Sequence, residues 1–216
     1  MSKNISNLHP ELLDKRRKEL LQKLVPFVSE FVLGGGTALA LQLAHRKSFD
    51  FDFFSSSPIP KTLLERLSKI FIIENVVVDT PDELTLFTNK IKITFLYYPF
   101  KPIFKYFEIV EGLAIFSIKG IALQKAYTIG RRGEYRDYYD LYTILKHEHT
   151  SLRNIVHGAK RIYNGAFDER LFLEQLVYYG DLRNFEIIPV SGNSLPTPDE
   201  IKHYFEKLVR MRINTN

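Results

Sequence analysis

Asp50 and Asp52 stand two residues apart in a run that alternates with phenylalanine, Phe49-Asp50-Phe51-Asp52-Phe53-Phe54. Residues two apart on a strand share a face, so the spacing predicts both carboxylates on one side. Phe49, Phe51 and Phe53 are then expected on the opposite, core-facing side. Two carboxylates placed together repel each other unless a cation lies between them, and oxygen-only ligands suit Mg²⁺ or Mn²⁺. Upstream, Gly34-Gly35-Gly36 runs into a helical segment, Thr37 to Ala44, with Thr37 as the expected cap. A glycine turn at a helix N-terminus offers free N–H groups and a positive dipole end, which suit phosphate. A phosphate cradle, a short helix and paired carboxylates on the next strand together describe a site for a metal–nucleoside triphosphate complex. Each part has a plain alternative. Asp-x-Asp is commonly a solvated strand face, a glycine run is commonly just a turn, and His45-Arg46-Lys47 can be a helix C-terminus where cations oppose the dipole. The conjunction carries the reading.

The elements that must position these residues can be read in order. A helix is expected from Pro10 to Val25, stopped or kinked by Pro26. Phe31-Val32-Leu33 reads as a strand before the glycines, and Phe49 to Phe54 as a second. Lys61 to Phe71 is amphipathic and helical. Ile72 to Val78, Leu84 to Thr88 and Lys92 to Tyr97 are β-rich, with turns at Asp79-Thr80-Pro81-Asp82 and Asn89-Lys90; Phe107 to Val110 reads as a further short strand. Ile118 to Lys146 is helical, broken near Gly130-Arg131-Arg132-Gly133. Leu152–Tyr163, Asp168–Tyr178 and Pro198–Arg210 are three more helices, the last two joined by a Pro/Gly/Ser-rich connection, Ile187 to Thr197. The order is α+β with a mixed sheet flanked by helices. A boundary near residue 150 would separate domain 1–150 from a helical extension, 151–216.

Composition narrows the chemistry. The 216 residues contain no Cys, which excludes a disulfide scaffold, Cys-ligated zinc, Cys-held iron–sulfur clusters and thiol catalysis, and fits a cytoplasmic setting. The net charge of +5 is spread along the chain with no basic tail, so sequence-specific nucleic-acid binding is not indicated. The first 24 residues carry Lys15, Arg16, Arg17, Lys18 and Lys23 and no continuous apolar core, so neither a secretory signal nor a membrane segment is expected.

Gly35 to Leu41, Gly-Gly-Thr-Ala-Leu-Ala-Leu, followed by His-Arg-x-Ser-x-Asp-Phe-Asp-Phe-Phe over 45–54, resembles the nucleotidyltransferase AbiEii/AbiGii toxin family of the polymerase-β-like superfamily. A second shared feature is a Lys-bearing helix, here Ile121–Thr128 with Lys125, before Arg136-Asp137-Tyr138-Tyr139-Asp140-Leu141. The resemblance covers roughly residues 30 to 148 and implies a minimal nucleotidyltransferase fold. It implies that Gly35, Gly36 and Thr37 hold the triphosphate. Asp50 and Asp52 would bind Mg²⁺ or Mn²⁺, and Arg46 and Ser48 would approach the nucleotide or orient the carboxylates. Lys125 would meet phosphate, and Asp137 or Asp140 would supply a further essential acid. The site is expected between the Gly34–Thr37 turn and the Asp50/Asp52 strand, closed by the Lys125 and Asp137/Asp140 helices. The activity implied is transfer of a nucleoside monophosphate from an NTP to a hydroxyl of RNA, the tRNA end included, or of protein. The biological setting implied is a toxin–antitoxin or phage-resistance pair with a cognate antitoxin.

One departure concerns Thr94, which stands where the superfamily usually carries a third carboxylate. It supports an alternative, a catalytically inactive nucleotidyltransferase-fold binding or regulatory module. A haloacid-dehalogenase-like phosphatase also uses Asp-x-Asp, but Phe54 stands where Thr or Val is expected. For Asp140 the plain alternative is a surface pair with Arg136 at i,i+4, and for Lys125 it is snorkelling to solvent. Tyr138, Tyr139, Tyr142, Tyr178 and Tyr179 read as packing rather than base-stacking residues, and His147 and His149 as a helix end.

Overall fold

Asp14 starts the first long helix. Its side chain accepts from the Arg17 N–H at 2.9 Å, and α1 (Lys15–Leu24) follows, burying Leu20 and Leu24. The expected start at Pro10 is corrected: Pro10–Leu12 is a separate 3₁₀ turn whose preceding His9 makes no side-chain cap, and Leu13 is extended. Pro26 lies in the 3₁₀ turn Val25–Phe27 that ends α1. The computed structural model describes residues 8–100, 106–110, 113–190, 192 and 194–214. The chain forms two compact units, Met1–Ser117 and Ile118–Asn216. Residue 150 lies in the link between two helices of the second unit.

The first unit continues with β1 (Val32–Gly34), α2 (Gly35–Leu43), β2 (Phe51–Ser55), α3 (Leu63–Ser68), β3 (Asn75–Asp79), β4 (Glu83–Thr88), β5 (Ile91–Tyr97), β6 (Tyr106–Val110) and β7 (Leu113–Phe116). The strands form one sheet of seven, in the order β3-β4-β5-β2-β1-β7-β6. β1 with β7 and β2 with β5 run parallel, and the other neighbours antiparallel, so the sheet is mixed as expected. Asn89 and Lys90 both take left-handed conformations, φ 51 and 59, giving the two-residue turn whose twist suits the β4–β5 hairpin. β7 escapes sequence reading because a four-residue apolar run shows no period, and its partner β1 lies far upstream.

Alternation divides the sheet into two faces. Leu33, Phe51, Phe53, Leu84, Leu86, Ile93, Phe95 and Ile115 are all buried and share one face through the strand registers. The Phe53 and Phe95 rings stack at 5.5 Å, and Phe31 meets Phe95 edge-on at 5.2 Å. Phe49 does not join this core, contrary to expectation. It precedes β2, is 36% exposed, and lies under the Arg17 guanidinium at 4.7 Å.

The second unit comprises α4 (Ile118–Thr128), α5 (Tyr135–Lys146), α6 (Leu152–Tyr163), α7 (Glu169–Val177) and α8 (Pro198–Ile213). Ser151 and Asp168 cap α6 and α7. Thr197 and Glu200 form a reciprocal capping box before α8, with Pro198 at its first position. α4 packs closely on α6, where a Cβ at Gly158 would meet Leu123 Cδ2 at 2.9 Å. Tyr138 packs edge-on to Tyr179 and Phe205, and Tyr138 and Tyr139 are buried, so these rings are core residues. Tyr178 is exposed.

Candidate active site

β1 delivers its last residue, Gly34, directly opposite Asp52 on β2. The next residue, Gly35, opens α2 with φ +65, and a Cβ there would lie 2.5 Å from Asp52 Oδ2. Both the backbone and the space therefore demand glycine. A Cβ at Gly36 would collide with the Arg46 guanidinium and meet Ser48 Oγ at 3.1 Å. Arg46 itself is buried and donates to the Lys47 carbonyl at 3.0 Å. The glycine turn, Asp52, Arg46 and Ser48 are thus built against one another. The Gly35–Thr37 turn and the Asp50/Asp52 segment, both expected at the site, are brought together within the first unit.

Two local expectations change. α2 begins at Gly35, so Thr37 lies inside its first turn and is not the cap; Gly34 takes that position without a side-chain bond. Thr37 Oγ1 instead bridges Ser48 Oγ, at 2.9 Å, and the Asp50 carbonyl. That bridge ties the helix start to the segment entering β2. Asp50 lies just before β2 rather than on it. Asp52 is on the strand, two residues on, and both are half-buried.

Register also sets the surroundings of Asp52. Across β5 its partner is Thr94, and beyond that, on β4, Thr85. Gly34, Asp52, Thr94 and Thr85 form a row of small or polar residues across four strands, on the face opposite the phenylalanines. Thr85 donates to Glu83 at 2.6 Å, whereas Thr94 Oγ1 is buried without a partner. Among the described residues no three His, Asp or Glu side chains gather as a metal cage. The Asp52 carboxylate lies beside the glycine turn, with Asp50 two residues before it, a donor chemistry of the kind that suits Mg²⁺, which is commonly held by one or two carboxylates with substrate phosphates and water.

The second unit holds the other candidates. Lys125 on α4 is buried and does not reach solvent, so the snorkelling alternative is corrected. Its Nζ lies 2.7 Å from Asp137 Oδ1 and 2.6 Å from Asp140 Oδ2, both on α5. Asp140 therefore pairs with Lys125 and not with Arg136, which turns to Glu134 at 3.4 Å. Arg132 completes the cluster with two bonds to Asp137, at 2.8 and 3.0 Å. Sequence reading missed Arg132, treating it as part of the break between helices; its five-residue offset from Asp137 matches no helical spacing. Burial pushes the Asp137 carboxyl up, but Lys125 and Arg132 outweigh it and hold the group below its ordinary value of 3.8.

Comparison with known proteins identifies the fold and the family. The chain is 29% identical over 208 residues to the uncharacterized protein aq_aa25 of Aquifex aeolicus (strain VF5), covering 92% of this chain and 96% of that one. The crystal structure of a nominal nucleotidyltransferase from H. pylori shares the fold, with a TM-score of 0.54 at 20% identity over 92% of this chain and 95% of that one. The family described as nucleotidyl transferase AbiEii toxin, type IV toxin–antitoxin system, matches residues 19–210. A match of that extent places the protein: it belongs to the AbiEii nucleotidyl transferase toxin family.

Proposed function

We propose that the protein moves a nucleoside monophosphate from an NTP to an acceptor hydroxyl on RNA, the tRNA end included, or on protein, and that it does so as the toxin of a toxin–antitoxin or phage-defence pair with a cognate antitoxin. The observation that carries this reading is the mutual fit of Gly35 and Asp52, since a Cβ at Gly35 would lie 2.5 Å from Asp52 Oδ2. A carboxylate set beside the N–H groups of a helix start places a cation ligand and a phosphate cradle side by side, the pairing that a metal–nucleotide complex needs.

In this reading the first N–H groups of α2, at Gly35, Gly36 and Thr37, take the triphosphate, because they have no intrahelical acceptor. Arg46 and Ser48 orient the nucleotide from the opposite side of the turn. Asp50 and Asp52 would hold Mg²⁺ or Mn²⁺, which when bound would neutralise phosphate charge and polarise the α-phosphoryl group. The acceptor oxygen bonds to the α-phosphorus as the α–β bridging bond breaks, and pyrophosphate leaves with the electron pair. The acceptor proton passes to solvent. A loose transition state demands little of a base, so Thr94 in place of an acid is compatible with turnover. From the family motif, Lys125 would meet phosphate and either Asp137 or Asp140 would supply the further essential acid.

The test is label transfer. Protein is incubated with Mg²⁺ or Mn²⁺, each α-labelled NTP in turn, and total RNA with cell protein, beside an Asp50→Ala/Asp52→Ala control. A labelled product absent from the control is the expected result, and nuclease or protease sensitivity assigns the acceptor. Metal-dependent NTP binding with no transfer under any condition would favour the inactive binding module.

A further inference from the structure

α6 has one face in the core and the other in water. Leu152, Ile155, Val156, Ala159 and Tyr163 are buried, whereas Arg153, Asn154, His157, Lys160 and Arg161 are exposed. The outer face thus carries three cations and a histidine, and the helix has no acidic residue. Arg153, His157 and Arg161 stand at i, i+4 and i+8, so they form one row about 12 Å long. Lys160, at the side of the row, pairs with Glu169. Among the described residues neither Arg153 nor Arg161 meets a carboxylate. Past the C-terminal end of α6, Arg131 donates to the Ala166 carbonyl and adds another exposed cation. Other exposed helix faces balance their charge: Lys15–Glu19 on α1 and Arg170–Glu174 on α7 are i,i+4 ion pairs. On α6 nothing does so, and Arg153 in the first turn opposes the helix dipole.

We propose that the outer face of α6 binds RNA by its phosphate backbone and is the docking surface for the acceptor. This inference rests on the transferase reading given above and selects RNA over protein as the acceptor. Charge complementarity carries it. A straight row of cations on a rigid helix suits a polymer with a negative charge on every unit, and guanidinium groups match phosphate oxygens two at a time. Carboxylates on a protein surface are interspersed with cations, which this face would repel. Tyr163, the one tyrosine of α6, is 2% exposed and offers bases no platform, so the contact is to backbone and independent of sequence.

The test compares the native protein with Arg153→Gln/Arg161→Gln on α6 and Lys18→Gln/Lys23→Gln on α1, which removes the same charge from another exposed helix. Glutamine keeps helix propensity, so both variants should fold with native thermal midpoints and bind an α,β-imido NTP analogue with Mg²⁺ as the native protein does. A fluorescein-labelled RNA hairpin with a single-stranded 3′ end is titrated with each protein at several KCl concentrations. Two phosphate contacts, at about 0.7–0.9 each in the slope of log K against log salt, convert to a loss of roughly 25–60-fold at 0.1 M salt for the α6 variant. The α1 variant should stay within about twofold, since distant exposed charges are screened. In label transfer to total RNA, the α6 variant should need more RNA for half-maximal rate, with kcat little changed. A native affinity and salt slope in the α6 variant would overturn the inference. So would an equal loss in both variants, which marks diffuse attraction, or displacement of the hairpin by poly-glutamate at equal charge concentration, which marks a face for acidic protein. If the native protein labels no acceptor while hairpin binding depends on the α6 row, the transferase reading fails and the RNA-binding face stands. If RNA is labelled equally well at every RNA concentration by the native protein and the α6 variant, the inference fails and the transferase reading stands.

Discussion

Lys125→Met isolates the energetics of the second unit's buried cluster. Lys125 is 5% exposed, Asp137 2% and Asp140 0%, and one ammonium serves both carboxylates at 2.7 and 2.6 Å. Methionine fills much of the same volume and removes the charge. Asp137 retains Arg132, but both buried carboxylates lose the cation they share. Breaking a buried pair by deleting one partner costs about 3–5 kcal/mol. For a chain of this size each kcal/mol moves the midpoint by roughly 2–4 °C, so a fall of roughly 6–20 °C is expected at pH 7.5. The pH dependence tests the cause. In the native protein the lowered Asp137 carboxyl contributes stability that is present above the unfolded carboxylate range and lost as pH falls through its folded value. In Lys125→Met the upward push of burial is opposed at Asp137 by Arg132 alone, so folded carboxyl groups bind protons more readily than unfolded ones. The deficit should therefore shrink as pH drops from 7.5 toward 5. Thermal unfolding followed by circular dichroism at several pH values reads both effects. A midpoint within about 2 °C of native at pH 7.5, with no pH trend, would refute the argument that the cluster's charges are mutually required.

Other expectations follow from single contacts. Gly35→Ala forces a side chain into a left-handed backbone and against Asp52 Oδ2, which should cost at least about 1–2 kcal/mol and abolish Mg²⁺-dependent NTP-analogue binding; retained binding with native stability would show that the turn tolerates a Cβ. Thr197→Ala removes the side-chain half of the α8 capping box, leaving the Thr197 backbone N–H donating to Glu200, and should lower stability by about 1 kcal/mol, read in urea unfolding, with label transfer unchanged. No change in the urea midpoint would mean that the box adds nothing beyond the helix itself.

Local signals in the sequence translate directly into structure. Leu152–Tyr163 is a helix over those very residues, because Ser151 caps it and its apolar positions repeat at helical spacing. Asn89-Lys90 turns a hairpin because asparagine tolerates the left-handed region. The Gly-Gly-Thr segment and the Asp-x-Asp run are visible as motifs, and the fold brings them together. What stays hidden depends on distant partners. β7 exists through its pairing with β1. The attachment of Thr37 to Ser48 and Asp50 takes it out of the capping role that its local sequence favours. Asp140 has a ready local cation in Arg136 at i,i+4, yet it pairs with Lys125 on the preceding helix. Exposed i,i+4 pairs are worth only a few tenths of a kcal/mol, so burial with a shared ammonium decides the geometry.

The phenylalanines of β2 do more than fill a core. Strand side chains alternate with period two, so burying Phe51 and Phe53 against Leu33 and Phe95 compels Asp52 onto the other face, opposite Gly34. A slip of one residue would bury Asp52 among aromatic rings and expose both phenylalanines. The apolar energy of the core therefore enforces the position of this carboxylate beside the start of α2. The same logic reaches Thr94, held in register beside Asp52 while Ile93 and Phe95 anchor β5 from the buried side. Hydrophobic alternation fixes this polar row to the accuracy of the sheet.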